Sequence, residues 1–398
     1  MDLEALKNVV RTGNLASLDT PEATELIESL TLEQANELNN DKSVFSGAAS
    51  PIQRLLGELK ADYVDRDELI TIALASFLVQ VPMLALGPPG TAKSAVFRGL
   101  AERIGLRPEE KSLAEVNKHI LDLLKTEKPS SLLKTEKAAA EPQSVPQRRY
   151  FEYLVTRFTT ADEILGPPHL ELMISHALFF RQTAGLLPEA DVVFLDEVFK
   201  ANSAILNALL SIMNERLFYN AGRSAKIPVS MVFGASNEPP PDQELSALYD
   251  RFPIRVMCDY VDDPKLAGLL NAAAQGEKEK VFSNTKRDEQ QKKKVPIASV
   301  NHFRLMHRLL FAHQDARPAA ESKRFKDAFI DTFRVFRRDF RISDRSLHRF
   351  YRLAHGLAIV RGKDYPDTQE FSVFKYCFQD MDAAPALADA VDYRIAPR

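Results

Sequence analysis

The sequence predicts an α/β fold, a mainly parallel sheet covered by helices on both faces, followed by an all-helical domain. Three observations point there. The apolar run 79–86 passes directly into Gly87-Pro88-Pro89-Gly90-Thr91-Ala92-Lys93-Ser94 and then an amphipathic stretch to Ile104, the pattern of a buried strand, a loop and a helix. β-Branched and aromatic runs at 150–156, 192–195, 229–235 and 255–258 alternate with helix-period stretches, which implies parallel strands with covering helices. From about Asp259 onward only helical periodicity remains, which marks a second domain.

The first fifty residues read as a small helical module. A helix from Asp2 to Arg11 ends at Gly13, Thr20-Pro21 supplies an N-cap with Pro at the first helical position, and Thr31 with Gln34 forms a capping box. Helices this short are marginal alone, so they are expected to pack on the body or on a neighbour. Between 51 and 77, Ile52, Leu55, Leu56 and Leu59, then Leu69, Ile70, Ala73 and Leu74, keep a helical period. The expected plan is a helical module over 1–50, an α/β core over 51–258, a helical lid over 259–380 and a C-terminal tail over 381–398.

The loop after the first strand names a ligand. Its backbone N–H groups are placed to face phosphate oxygens, Lys93 adds a point charge, and the Ser94 hydroxyl suits Mg²⁺. The expected nucleotide-binding set is Gly87, Pro88, Pro89, Gly90, Thr91, Ala92, Lys93, Ser94 and Ala95. Ala92 departs from the usual pattern, which has Gly before the Lys, and is expected to keep a negative φ. Beyond the loop helix, residues 106–149 read as an inserted helical hairpin: Ser112 and Glu115 make a capping box, and Leu-Leu-Lys-Thr-Glu-Lys occurs at 123–128 and again at 132–137.

Val192-Val193-Phe194-Leu195 ends in Asp196-Glu197, two carboxylates at the carboxyl edge of a buried strand, where phosphates and their metal sit in open α/β sheets. Asp196 suits a Mg²⁺ partner acting through water, and Glu197 a base for an attacking water. Alone the pair also fits a solvated strand end; the phosphate loop gives it meaning. Asn237 closes the next buried strand and suits a γ-phosphate sensor, or an Asx-turn ahead of Pro239-Pro240-Pro241.

Lys+Arg 52 against Asp+Glu 55 leaves a net charge of −3, with no global basic field for nucleic acid or an anionic membrane. The basic run Lys278 to Lys294 is diluted by Glu277, Glu279, Asp288 and Glu289 and reads as a solvated lid loop. Cys258 and Cys377 make neither a disulfide framework nor a metal spacing, and read as buried thiols. The eight histidines show no zinc pattern. No charged-then-apolar leader and no run of 18 apolar residues occurs, so the cytoplasm is the expected compartment and no membrane insertion is expected.

Phe194-Leu195-Asp196-Glu197-Val198-Phe199-Lys200-Ala201-Asn202, Leu206-Asn207-Ala208-Leu209-Leu210, Asn214-Glu215-Arg216, Ala235-Ser236-Asn237-Glu238-Pro239 and Ala247-Leu248-Tyr249-Asp250-Arg251-Phe252 resemble the MoxR family of AAA+ ATPases. Tyr153-Leu154-Val155-Thr156-Arg157-Phe158 and Leu187-Pro188-Glu189-Ala190 fit its RavA branch. The resemblance implies a P-loop AAA+ core and a ring, usually hexameric, with MgATP bound between subunits. Arg251 matches the trans-acting finger, with Arg255 and Arg216 as rivals, and Arg345 matches the lid arginine that contacts phosphates, on a helix capped by Ser343 or Asp344. Relatives carry a hairpin inserted at about 169–187; within it Phe179 and Phe180 suit either a contact tip or packing on the sheet. The implied output is chaperone-like remodelling of a partner protein, often one with a von Willebrand factor A domain. A DNA-directed motor of a restriction or defence assembly and a nucleotide-gated scaffold with little turnover are the alternative classes.

Overall fold

The computed structural model describes residues 1–106, 149–240, 243–268, 270–271, 296–316, 319–340, 342–379 and 381–396. Apart from its two end residues, the hairpin expected over 106–149 lies outside the described residues, as does the basic run 278–294.

Five strands form a wholly parallel sheet: β1 (Met83–Leu86), β2 (Tyr150–Leu154), β3 (Val192–Asp196), β6 (Met231–Ser236) and β7 (Ile254–Met257), in the order β2-β3-β6-β1-β7. Every residue of β1 and β6 is buried, so helices cover both faces and the strands read as unbroken apolar runs. The start of the apolar run expected to be strand is the end of a helix: α5 (Asp67–Val79) stops at Gln80, which takes φ +52°, and β1 begins only at Met83. An antiparallel hairpin, β4 (Leu217–Asn220) with β5 (Arg223–Lys226), stands outside the sheet and has no counterpart in the sequence reading. All four β5 residues are exposed, so no apolar run marks it.

The short N-terminal helices form where their caps predict. Asp2 caps α1 (Leu3–Thr12), which ends at Gly13 with φ +68°; Thr20 caps α2 (Pro21–Ser29); and the Thr31/Gln34 box opens α3 (Leu32–Asn40). The boundary expected after residue 50 falls inside α4 (Lys42–Asp62). Pro51 removes one N–H from its ladder, and burial of Ala48, Ala49, Ile52 and Leu55 carries the helix through.

The core helix α6 (Lys93–Arg103) lies on the sheet through Phe97, whose ring is 5.1 Å from Phe194 and 4.6 Å from Phe233. Further along come α7 (Ala161–Leu165), α8 (Leu170–His176), α9 (Ser203–Glu215) and α10 (Gln243–Tyr249). The helical domain contributes α11 (Val300–Ala316), α12 (Ala319–Phe340), α13 (Asp344–Val360), a 3₁₀ segment (Thr368–Cys377) and α14 (Ala384–Ile395). The tail expected over 381–398 is thus mostly a packed helix: Ala384, Leu387 and Val391 recur at helical spacing and are buried.

Helix α11 joins the N-terminal helices to the core. Asn39 and Asn301 side chains donate to Leu309 O (2.8 Å) and Leu18 O (2.6 Å), and Phe303 stacks on Phe77 of α5 at 4.0 Å. On α13, a Cβ at Gly356 would lie 3.0 Å from Ala75 O, so α13 sits close on α5. Arg352, one turn earlier, donates to Val79 O at 2.6 Å. Helix α13 therefore runs antiparallel to α5, its N-terminal end projecting past the end of α5 that feeds β1.

Candidate active site

The loop between β1 and α6 is held from both neighbouring strands. Gly87 N donates to Ser236 O at 3.2 Å and Cys258 N to Leu86 O at 2.7 Å. Gly87 has φ +146°, and a Cβ there would stand 2.1 Å from Cys258 O, so only glycine fits. Gly90 takes φ +81°. Ala92 corrects the expectation of negative φ: it sits at φ +61°, ψ +19°, in the left-handed region. That well is open to an L-residue at a cost of roughly 1 kcal/mol, so the loop keeps the geometry that glycine usually supplies and stores strain instead.

Lys93 is buried, and its ammonium donates to Gly87 O (2.7 Å), Pro88 O (2.8 Å), Thr91 Oγ1 (3.3 Å) and Asn237 Oδ1 (3.3 Å). Burial lowers its pKa, while Cys258, Asp196 and Glu197 oppose the shift. Burial pushes the Cys258 thiol up to about 12, so it is a neutral wall of the site. Ser94 Oγ donates to Asp196 Oδ2 at 2.8 Å. Glu197 has φ +54°, its N–H donates to Asp196 Oδ1 at 3.0 Å, and Lys200 Nζ lies 3.4 Å from its Oε2. The Asn237 amide nitrogen donates to Glu197 Oε1. Asn237 thus joins Lys93 to Glu197 and makes no Asx-turn; Ser236 Oγ instead donates to Glu238 O at 2.7 Å.

Three supporting side chains escaped the sequence reading. Arg66, buried, donates to Thr91 O and Asp259 O, each at 2.8 Å, and so braces the loop against the chain after β7. Tyr63 Oη donates to Ala95 O at 2.8 Å and occupies the space left by Gly99. Lys200 faces Glu197. Arg66 and Tyr63 belong to no spacing pattern, and Lys200 lies in the stretch 194–202 that carries the family resemblance, with no role assigned to it there.

Lys93, Ser94, Asp196, Glu197 and Asn237 lie at or beyond the C-terminal ends of β1, β3 and β6, so they share one edge of the sheet. Arg251 does not share it. It precedes β7, which is parallel to β1 with Met83 opposite Ile254, and so stands at the other edge. Arg345 and Arg349, in the first turns of α13, stand with it: desolvation lowers the Arg251 pKa and Arg345 lowers it further, while Arg349 is lowered by desolvation, Arg345 and Arg251. Arg251 Nε is buried without a hydrogen-bond partner. The expected cap of α13 is absent: Ser343 holds the N-cap position, but its hydroxyl meets Ser346 Oγ at 3.1 Å.

The rivals of Arg251 are engaged elsewhere. Arg255 is buried, donates to Phe378 O (2.5 Å) and Tyr249 O (3.0 Å), and stacks on Tyr249 at 3.8 Å. Arg216 donates to Gln80 O and Ser230 O at 3.3 and 3.2 Å. In the segment 169–187, Pro168 bridges Arg181 and α8 carries no buried residue. The phenylalanine pair divides: Phe179 is 52 % exposed beneath the Arg181 guanidinium, while Phe180 is half-buried and its carbonyl accepts from His169 N at 2.7 Å.

A hydroxyl and a carboxylate oxygen already 2.8 Å apart at Ser94 and Asp196 are hard donors that fit Mg²⁺. Among the described residues no group of three or more His, Cys, Asp or Glu side chains is placed to hold a metal, so such an ion would share phosphate oxygens with this pair. Both cysteines are buried and unpaired, as expected. Among the described residues no helix is long and apolar enough to cross a membrane.

A family model described as the MoxR domain of the MoxR-vWA-beta-propeller ternary systems matches residues 50–116 and 134–296, more than half of the chain. The chain belongs to the MoxR family. Similar proteins include two uncharacterised proteins of Methanocaldococcus jannaschii, MJ0812 and MJ0079. The first is 31% identical over 332 residues (82% of this chain, 71% of the relative) and the second 30% over 330 (83% and 70%). The structural protein ORF618 of Acidianus two-tailed virus is 26% identical over 341 residues, 80% of this chain and 47% of its own length. In fold, this MoxR chain matches the crystal structure of a protein from Cytophaga hutchinsonii described as a candidate ATPase, with TM-score 0.57 and 15% identity, over 91% of this chain and 98% of that one. That likeness concerns the fold alone.

Proposed function

We propose that this MoxR chain hydrolyses MgATP at a seam between copies of itself, in a ring that is a hexamer by the family resemblance, and uses the cycle to remodel or mature a partner protein. The observation that carries the reading is the continuous chain Lys93–Asn237–Glu197 beside the Ser94–Asp196 pair, all at one sheet edge. Lys93 and the loop N–H groups would hold the β- and γ-phosphates. Ser94 and, through water, Asp196 would hold Mg²⁺, which supplies charge neutralisation on the phosphates when bound. Glu197 orients and deprotonates the attacking water, and Asn237 keeps that carboxylate aligned with the lysine, so loss of the γ-phosphate is felt at both.

Arg251 and Arg345 then belong to the neighbouring copy's site. Their shared position at the opposite edge supports a joint contribution in trans, where two mutually repelling guanidinium groups gain most from an anion between them. Arg345 is accordingly assigned to the phosphates of the next copy and not to those held by its own Lys93. The partner reading rests on the family description, which pairs MoxR domains with von Willebrand factor A proteins. Placement in the RavA branch rests on the motif wording at 153–158 and 187–190. Cytoplasmic residence completes this proposal.

The test is phosphate release from MgATP by the purified assembly, wild type beside Glu197→Gln, with light scattering to establish copy number. A general base contributes on the order of 10²–10⁴-fold, so a loss of that size with nucleotide binding retained is expected. Equal rates would leave a nucleotide-gated scaffold.

A further inference from the structure

On the edge of the sheet away from Lys93 lies a cavity of about 650 Å³, between α2 and α3 on one side and α11 with the chain before β6 on the other. Four cationic residues line it, Arg216, Lys226, Arg304 and Arg308, against one carboxylate, Glu28. Arg304 is neutralised by Asp191 at 2.9 Å and Glu28 at 3.5 Å and holds Ser230 Oγ and Pro228 O, and Arg308 donates to the Glu28 carbonyl. The cationic excess therefore rests on Arg216, Lys226 and Arg308. His307 adds no charge, because its ring nitrogen meets Leu78 O at 2.9 Å and burial keeps it neutral. Lys226 and Arg308 are exposed at the mouth. Most of the remaining wall is apolar, with Ile27, Leu32 and Phe311, and Thr31, Gln80 and Ser230 are its polar members.

Arg216 is the unusual member. It occupies the C-cap of α9 at φ +56°, a left-handed conformation for a bulky residue, and its Nη1 is buried with no hydrogen-bond partner. A buried guanidinium beside a second cation, Arg304, is costly, and that cost is offset when an anion in the cavity supplies opposite charge. Guanidinium forks pair bidentately with phosphate oxygens, and Lys226 adds a point charge to the same lining. The apolar wall asks for a body attached to that anion.

We infer that this cavity is a second ligand site, separate from the phosphate loop, which takes a small organic phosphate with an apolar or aromatic body. Strands β1 and β6 stand between the two sites, since Gln80 and Ser230 precede the strands whose far ends carry the loop and Asn237. Occupancy would tie α2 to the β5–β6 connection and α11, linking the N-terminal helices to the sheet edge where Arg251 stands.

Equilibrium binding of 1-naphthyl phosphate to the full chain, followed by its fluorescence, tests this. Saturable binding of one equivalent by both wild type and Lys93→Ala is expected, with at least tenfold weaker binding by Lys226→Glu/Arg308→Glu and by Arg216→Gln. The first pair alters exposed side chains, and circular dichroism checks that its fold is kept. Naphthalene lacking the phosphate should compete poorly. The inference is overturned by absence of saturable binding, by loss of binding in Lys93→Ala, or by unchanged affinity in the charge-reversed variant.

Discussion

The side-chain amide of Asn237 spans the candidate site: its oxygen accepts from Lys93 at 3.3 Å while its nitrogen donates to Glu197 Oε1. The residue that touches Lys93 therefore also holds the Glu197 carboxylate. Asn237→Ala is expected to lower the rate of phosphate release by about 10–100-fold while nucleotide affinity changes only a few-fold, because alignment is lost and the loop is kept. Steady-state kinetics beside equilibrium nucleotide binding separates the two. An equal loss in both would return Asn237 to a structural role.

Gly87 supplies a sharper test of the loop. With Cys258 O standing 2.1 Å from any Cβ placed there, Gly87→Ala must displace the connection between β1 and Lys93. Nucleotide binding should fall below detection in a chain whose circular dichroism is unchanged. Cys258→Ser, which alters the side chain and spares the carbonyl, should bind normally.

Ala92 should respond in the opposite sense. Its φ of +61° suits glycine, so Ala92→Gly is expected to stabilise the folded chain by about 1 kcal/mol, read as a higher urea midpoint. A lower midpoint would mean that the left-handed conformation costs nothing here.

Two buried histidines set an acid limit. His302, whose ring nitrogen meets Ala48 O at 2.7 Å, is lowered to about 4 by burial. His307 is lowered to about 3 by burial first and the Arg352 charge second. Both are favoured neutral in the folded chain, whereas an unfolded histidine titrates near ~6.5. Their contribution is therefore complete above that value and drains as pH falls through the window toward about 4 and about 3, at up to roughly 1.4 kcal/mol per unit for each. The urea midpoint should drop between pH 7 and pH 5, and less steeply in His302→Gln. A midpoint independent of pH across that span contradicts the assignment.

What was legible in the sequence was what local chemistry decides. Thr20, Thr31 and Gly13 mark helix ends through bonds to their nearest neighbours, and β1, β3 and β6 announce themselves because strands buried on both faces must be apolar throughout. Asp196 and Asn237 were legible because they stand at the ends of such strands, and Lys93 and Ser94 because a Gly/Pro-rich loop of 87–92 joins them to one. Arg66 was not, since its bonds reach Thr91 and Asp259, far along the chain. Nor was the company of Arg345: periodicity places it in a helix, but only the antiparallel run of α13 along α5 brings it beside Arg251. The backbone of Ala92 defied a rule drawn from side-chain size, because the neighbouring strands hold the loop in place.

In the proposed ring one copy supplies Lys93 and Glu197 while the next supplies Arg251 and Arg345. Mixing two inactive variants tests it directly: Arg251→Ala retains the lysine and base, and Glu197→Gln retains the arginines. Co-assembly should restore phosphate release to roughly a quarter of the wild-type rate at equal mixing, since about one seam in four then holds both intact halves. A mixed assembly as inactive as either variant alone would contradict the shared site.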